Sequence, residues 1–231
     1  MKYEENPFED PKSAEEWIQA IETEKEGSRD NEIYPLLNKW SGELKPKVLV
    51  EVGSGQGVCS AKVNIGEGKY IGVEPSITLT ERAKNLYPET NKQFLLGSAY
   101  EMPLENEVAD AAFSVGVWFH LEDLDKAHKE MNRILKPGAE LLIITSNPNL
   151  HDVWESWFEV DSKEGKKLIG KATTPSGYLS RSVFFLHPEE DITSSLEKNG
   201  FKIIDIKKFG FGKDRYRDDE GIWMAIKAIK G

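Results

Sequence analysis

Ten residues, VLVEVGSGQG from Val48 to Gly57, limit the possible folds more than any others in the chain. The apolar run bounded by Pro46 and Gly53 predicts a strand buried on both faces of a parallel sheet. Glycines at positions 53, 55 and 57 directly after it predict a turn into a helix. Such a turn lets a ligand approach the backbone, because side chains would block it and glycine tolerates positive φ. The spacing bears on what the turn holds. A dinucleotide fingerprint, G-x-G-x-x-G/A, needs a small residue where Val58 stands, and a P-loop needs GK[ST], which does not follow Gly57.

Beyond the turn, strand and helix alternate. Residues 69–75 (KYIGVEP), 93–99 (QFLLGSA), 109–119 (ADAAFSVGVWF) and 139–148 (AELLIITSNP) have the character of strands. Between them, residues 77–88 and 121–138 have the character of helices, the second stopped by Pro137 and Gly138. Two amphipathic helices precede the sheet. One runs from Ser13, as its cap, to Glu26 with Trp17, Ile18 and Ile21 in a stripe, and the other from Asn31 to Trp40. After a helix starting at Pro188, residues 201–210 and 221–231 predict two strands that pair antiparallel. The expected architecture is α/β and doubly wound: a mostly parallel, seven-stranded sheet with a closing antiparallel hairpin and helices on both faces. All 231 residues fit one domain, with 1–44 as an amino-terminal helical cap. Residues 147–187 break the rhythm and carry Trp154, Trp157, Phe158, Tyr178, Phe184 and Phe185, as an inserted substrate lid would. Trp154 and Trp157, at helical spacing, suit either the lid's own core or a cage for an apolar or cationic acceptor.

A formal charge of -10, with no basic stripe, argues against a nucleic-acid partner. One cysteine, Cys59, allows no internal disulfide. There is no signal-peptide pattern and no run of about 20 apolar residues, so a cytoplasmic protein without a membrane partner is expected. No metal-ligand spacing links the four histidines, and nothing points to an oligomeric state.

The pattern Glu51-x-Gly53-x-Gly55-x-Gly57 resembles motif I of the class I S-adenosylmethionine-dependent methyltransferases. The resemblance extends through Glu74, about 20 residues on, and is closest from Gly97 to Ile144, including KPGAELLI. It covers roughly residues 45–147, and more loosely 187–231. It implies a Rossmann-like fold with S-adenosylmethionine as cofactor, and a small molecule as methyl acceptor. By the same resemblance Gly53, Ser54, Gly55 and Gly57 face the cofactor, and Glu51 organises the site around its amino-acid tail. Glu74 takes the ribose hydroxyls, since a carboxylate can accept both, and Pro75 and Val115 lie against the cofactor. Ser98 stands where the family commonly has an acid that meets the adenine amino group, which puts weight on the backbone at Ala99 and Tyr100.

Methyl transfer needs alignment and exclusion of water more than an enzyme nucleophile. His120, directly after a strand, is the candidate general base, with packing against the cofactor pocket as the alternative reading. His128 is expected on a helix surface, and His151 and His187 flank the lid. Trp17 and Trp40 are expected to pack the amino-terminal helices. Two other functions stay open: a non-catalytic methyltransferase-like binding or partner module, and an NAD-dependent oxidoreductase, against which Val58 counts.

Overall fold

Alternate residues of the central strands go to opposite sides. Leu49, Tyr70, Phe113 and Leu142 enter one apolar cluster, and Val50, Ile71, Ala112 and Leu141 enter another. Both faces of the sheet are therefore covered, which is why its strands lack polar alternation. The computed structural model describes residues 7–23, 27–173, 179–217 and 220–231. The strands are β1 (Val48–Val52), β2 (Lys69–Glu74), β3 (Lys92–Leu96), β4 (Ala109–Val115) and β5 (Leu135–Ser146), followed later by β9 (Phe201–Phe209) and β10 (Trp223–Lys230). Their order is β3-β2-β1-β4-β5-β10-β9. The first five pair parallel, and β10 is antiparallel to both β5 and β9. This is the doubly wound, Rossmann-like sheet that the sequence predicts. The chain leaves β1 toward β2 and β3, then crosses to β4 on the other flank of β1. The carboxyl ends of β1 and β4 thus frame the crevice where ligands of such sheets bind.

Helix α1 (Pro11–Thr23) starts earlier than expected. Pro11 suits a first helical position, where its missing N–H is no loss, and Asp10, not Ser13, is the cap. Asp10 Oδ2 accepts from the Ser13 N–H at 2.8 Å and from its hydroxyl at 2.9 Å. The expected last turn, residues 24–26, lies outside the described residues. Helix α2 (Tyr34–Leu44) is entered through a π-helical turn, Arg29–Ile33. Trp40 packs as expected, its ring edge-on to Phe113 at 6.1 Å and its indole N–H donating to Glu140 Oε2 at 2.8 Å.

Three departures from the sequence reading stand out. The glycine turn is followed by a 3-10 turn, Val58–Ala61, where a full helix was expected. Helix α4 (Leu124–Ile134) ends before Pro137 and Gly138, which fall inside β5 opposite an irregular register between Ala109 and Ala111. Residues 147–187 contain a short helix α5 (His151–Ser156) and a three-stranded antiparallel sheet. Its strands are β6 (Phe158–Glu164), β7 (Lys167–Thr173) and β8 (Leu179–Phe185). Helices α3 (Ile77–Leu86) and α6 (Glu189–Lys198) complete the fold. No helix among the described residues is long and apolar enough to cross a membrane.

His128 is not a surface residue. It is fully buried on the α4 face toward α6, where Nε2 accepts the Trp118 indole N–H at 2.7 Å and Nδ1 meets Ser195 Oγ at 2.8 Å. Ser195 Oγ in turn donates to Asp125 Oδ1 at 2.7 Å. The Trp118 bond requires an unprotonated Nε2, and burial pushes the imidazole down to about 3. Its folded pKa lies below the unfolded one, so its contribution is complete above about pH 6.5 and declines as pH falls toward 3. His128→Ala should cost about 2–4 kcal/mol at pH 7, from a cavity and the orphaned Trp118 N–H. Urea unfolding at pH 7 and pH 5 should show a smaller deficit at the lower pH. An equal deficit at both would remove the buried-neutral assignment.

Candidate active site

The turn after β1 hangs from β2. The Val73 carbonyl accepts from both Gly53 N (2.8 Å) and Ser54 N (3.1 Å), which extends the β1–β2 ladder past the strand end. Gly53, Gly55 and Gly57 all have positive φ, at 71°, 52° and 83°. Gly53 is forced by close approach, because a Cβ there would lie 2.2 Å from Val117 Cγ2 in the turn after β4. At Gly55 a Cβ would meet nothing within 4 Å, so this backbone faces open space in a cavity of about 520 Å³.

Glu74, at the end of β2, is only 5% exposed. Oε2 accepts the Gly55 N–H at 3.0 Å and Oε1 the Ser76 N–H at 2.9 Å. Each oxygen keeps a further lone pair for a ligand hydroxyl. Burial pushes this carboxyl up to about 7, opposed by those two bonds. Glu51, in β1, is 2% exposed, and the Tyr70 hydroxyl donates to its Oε2. Desolvation pushes it up to about 8, partly offset by its hydrogen-bonding neighbours.

Ser54, Pro75, Ser98, Ala99 and Val115 all line the same cavity as Glu51, Glu74 and the first two glycines. Gly57 does not; its added Cβ would sit 2.9 Å from the Phe94 ring, beneath the turn. After β3, Ser98 and Glu101 exchange backbone bonds at 3.1 Å, and the Tyr100 N–H donates to Ser98 Oγ at 3.3 Å. The Tyr100 N–H is therefore engaged within the turn, and of the two residues Ala99 lines the cavity while Tyr100 does not.

His120 lies in a 3-10 turn after β4, between the Phe119 ring at 4.7 Å and the Phe184 ring at 4.5 Å. Desolvation pushes it down to about 4, so the ring is neutral near pH 7. Nδ1 lies 3.3 Å from the Val183 carbonyl, where it donates and leaves Nε2 as the basic atom. Neither His151 nor His187 lines the cavity. His187 Nε2 instead bonds the Leu121 carbonyl at 2.6 Å.

Trp154 belongs to an aromatic core and to the cavity wall at once. It stacks within the aromatic core against Trp157 (5.0 Å) and Phe119 (5.2 Å), and it also lines the cavity. Phe158 and Phe184 do the same, whereas Phe185 does not line it and Tyr178 lies outside the described residues. Trp17, expected only to pack, is half-buried and lines the cavity, as do Arg29, Asp214 and Trp223. Sequence reasoning missed these last three because they come from segments before and after the motif-bearing strands. Among the described residues, no three His, Cys, Asp or Glu side chains are grouped to hold a metal.

Comparison with known proteins agrees with this geometry. A family model described as a methyltransferase domain matches residues 50–143. A demethylmenaquinone methyltransferase of Chlorobaculum parvum is 31% identical over 169 residues, covering 70% of this chain and 68% of that protein. A ubiquinone/menaquinone biosynthesis C-methyltransferase of Brucella anthropi is 32% identical over 138 residues, which span 57% of this chain and about half, 52%, of that protein. Among solved structures, an S-adenosylmethionine dependent methyltransferase from Mesorhizobium loti shares the fold at a TM-score of 0.61 and 16% identity. That match covers 85% of this chain and 96% of the other. The chain belongs to the class I S-adenosylmethionine-dependent methyltransferases; it is an enzyme of that class, and S-adenosylmethionine is its cofactor.

The residues present suit that cofactor. Gly55 opens on free space, Glu74 has spare acceptor capacity, and the Ser54 hydroxyl is buried without a hydrogen-bond partner among the described residues. The short turn in place of a helix after Gly57 offers no strong helix N-terminus, which a ligand without a pyrophosphate does not require.

The two glycines separate by sterics. Gly55→Ala should cost only the left-handed backbone penalty of roughly 1–2 kcal/mol. Gly53→Ala adds the overlap with Val117 and should lower the melting temperature distinctly further in a thermal scan. Equal losses would contradict the close approach of the two turns.

Proposed function

We propose that the protein methylates a compact, largely apolar small molecule by in-line displacement. One observation carries the reading: the cavity joins the Gly55–Glu74 end to a wall of aromatic side chains from elsewhere in the chain, including Phe119, Trp154 and Phe184. Such a wall suits a flat ring and offers little to a charged polymer. The two relatives named above, one a demethylmenaquinone methyltransferase and the other a quinone-pathway C-methyltransferase, support a quinone-like or phenol-like ring methylated on carbon.

When bound, S-adenosylmethionine supplies an electrophilic methyl on a sulfonium that leaves as a neutral thioether. The bond formed is acceptor carbon to methyl, the bond broken is methyl to sulfur, and its electron pair stays on sulfur. In this reading Glu74 accepts from the ribose hydroxyls. Gly53, Ser54 and Gly55, with Glu51 beneath, shape the turn around the cofactor, and Pro75, Ala99 and Val115 complete its walls. Gly57 supports the turn from below. His120 Nε2 receives the proton that the acceptor carbon loses. At about 4 it is a weak base, suited to an acceptor already acidified by a neighbouring carbonyl. Residues 1–44 act as the cap and 147–187 as the lid, together excluding water. A cytoplasmic setting without nucleic-acid or membrane partners belongs to the same reading.

Two measurements test it. If Glu74 must be ionised to accept both hydroxyls, S-adenosylhomocysteine affinity should rise on the order of tenfold from pH 6 to pH 8 as a carboxyl held at about 7 titrates, then level off. Glu74→Gln should bind weakly with a flat profile; a wild-type profile in that variant would sink the ribose assignment. Turnover should be followed with small hydroxyquinones as acceptors. There His120→Gln should keep cofactor affinity while lowering kcat on the order of 10²–10⁴-fold, and unchanged kcat would return His120 to a packing role.

A further inference from the structure

Among the described residues four indoles are buried, those of Trp40, Trp118, Trp154 and Trp223. Three of them donate. The Trp40 N–H goes to Glu140 Oε2 at 2.8 Å, that of Trp118 to His128 Nε2 at 2.7 Å and that of Trp154 to the Ile222 carbonyl at 3.3 Å. The fourth, Trp223, is 6% exposed, and its Nε1 has no hydrogen-bond partner among the described residues. A buried indole N–H ordinarily finds an acceptor, because a desolvated donor left unpaired is costly.

The groups packed on the Trp223 ring cannot fill that role. The Trp154 ring meets it edge-on at 5.6 Å, and the Arg29 guanidinium, which also hydrogen-bonds Tyr34, lies 5.8 Å from it. Indole and guanidinium groups donate and do not accept. The benzenoid end of Trp223 reaches the turn after β4, where a Cβ added to Gly116 would lie 4.0 Å from its Cη2. The carbonyl just before Trp223 in the chain, that of Ile222, already accepts from the Asn147 N–H at 2.7 Å and from Trp154, which uses both of its lone pairs.

Trp223 lines the same cavity as Glu74, on its far side. It opens β10 opposite Ser146, the last residue of β5. The strand order sets β10 four strands from β2, about 19 Å at the usual spacing of neighbouring strands, with His120 on the turn after β4 between them. We propose that Trp223 is an acceptor-binding residue, whose indole N–H donates to a carbonyl or phenolate oxygen on the ring that is methylated. The proposal rests on the reading of the acceptor as a quinone-like or phenol-like ring, and it adds which group of that ring the protein recognises. The bond supplies the partner that the fold withholds from Nε1, and it fixes how the ring lies against the aromatic wall.

The test compares two rings of nearly the same outline, 1,4-naphthoquinone and 1,4-dimethylnaphthalene, the second with methyl groups where the first has oxygens. Each is titrated into nitrogen-15-labelled protein loaded with S-adenosylhomocysteine, and binding is followed by NMR through the assigned indole N–H signals. The quinone should move the Trp223 indole signal downfield, and the hydrocarbon should not. Trp223→Phe keeps an aromatic wall and removes the donor. It should weaken the quinone on the order of tenfold and leave the affinity for the hydrocarbon unchanged. If that variant does not fold, the wild-type signal decides. A Trp223 signal that responds alike to both rings, or a Trp223→Phe protein that binds both rings equally weakly or both as the wild type does, overturns the proposal. Binding of neither ring to the loaded wild type refutes the flat-ring reading beneath it, and the proposal falls with that reading.

Discussion

The Val73 carbonyl and the Glu74 carboxylate, adjacent on β2, together hold the backbone of the glycine turn from Gly53 to Gly55. That suspension decides much of the site. It fixes a left-handed backbone that only glycine adopts without strain, and it brings Gly53 against Val117 at the point where the sheet changes direction. It also spends one lone pair on each Glu74 oxygen on the protein, so the same carboxylate that shapes the turn is held in a fixed orientation on the cavity wall. Pre-organisation of this kind reduces the ordering that binding must otherwise supply.

Burial sets the protonation states. Glu51 and Glu74 are pushed upward and His120 downward, each mainly because a charged form is disfavoured away from water. The site is therefore less charged near neutrality than its residue types suggest. Among the described residues that line the cavity, Arg29 is the one Lys or Arg, beside many aromatic rings. An enzyme that must position a cationic methyl donor gains from such a setting, since each remaining charge acts through a lower dielectric than water.

The parts of the molecule that complete the cavity are far apart in sequence. Trp17 and Arg29 come from the amino-terminal segment, Trp154 and Phe184 from the interval between β5 and α6, and Trp223 from the last strand. The sheet brings them together because its strand order puts β10 beside β5, whose carboxyl end opens on the same crevice. The same rings pack against one another and line the cavity, so a division into core residues and cavity residues does not hold here. Trp154 contacts Phe119, Trp157 and Trp223 and still faces the cavity.

What the sequence by itself determined is the part governed by local rules. Apolar runs bounded by glycine and proline, the glycine spacing and the acid ending β2 are read directly from neighbouring residues, and they were enough for the sheet, its closing hairpin and the Glu51–Gly55 and Glu74 end of the cavity. What only the tertiary structure decided depends on residues distant in the chain. His128 lies on an amphipathic helix whose apolar face extends further round than its own pattern indicates, because Trp118 and Ser195 from other elements satisfy its two nitrogens. The helix expected after Gly57 is a short turn, since nothing local forces residues 58–68 to continue helical once the backbone has been tied to β2. Arg29 gave no signal at all, because its place on the cavity wall exists only when folding sets it between two indoles that are 206 positions apart in the chain, Trp17 and Trp223 (223 − 17).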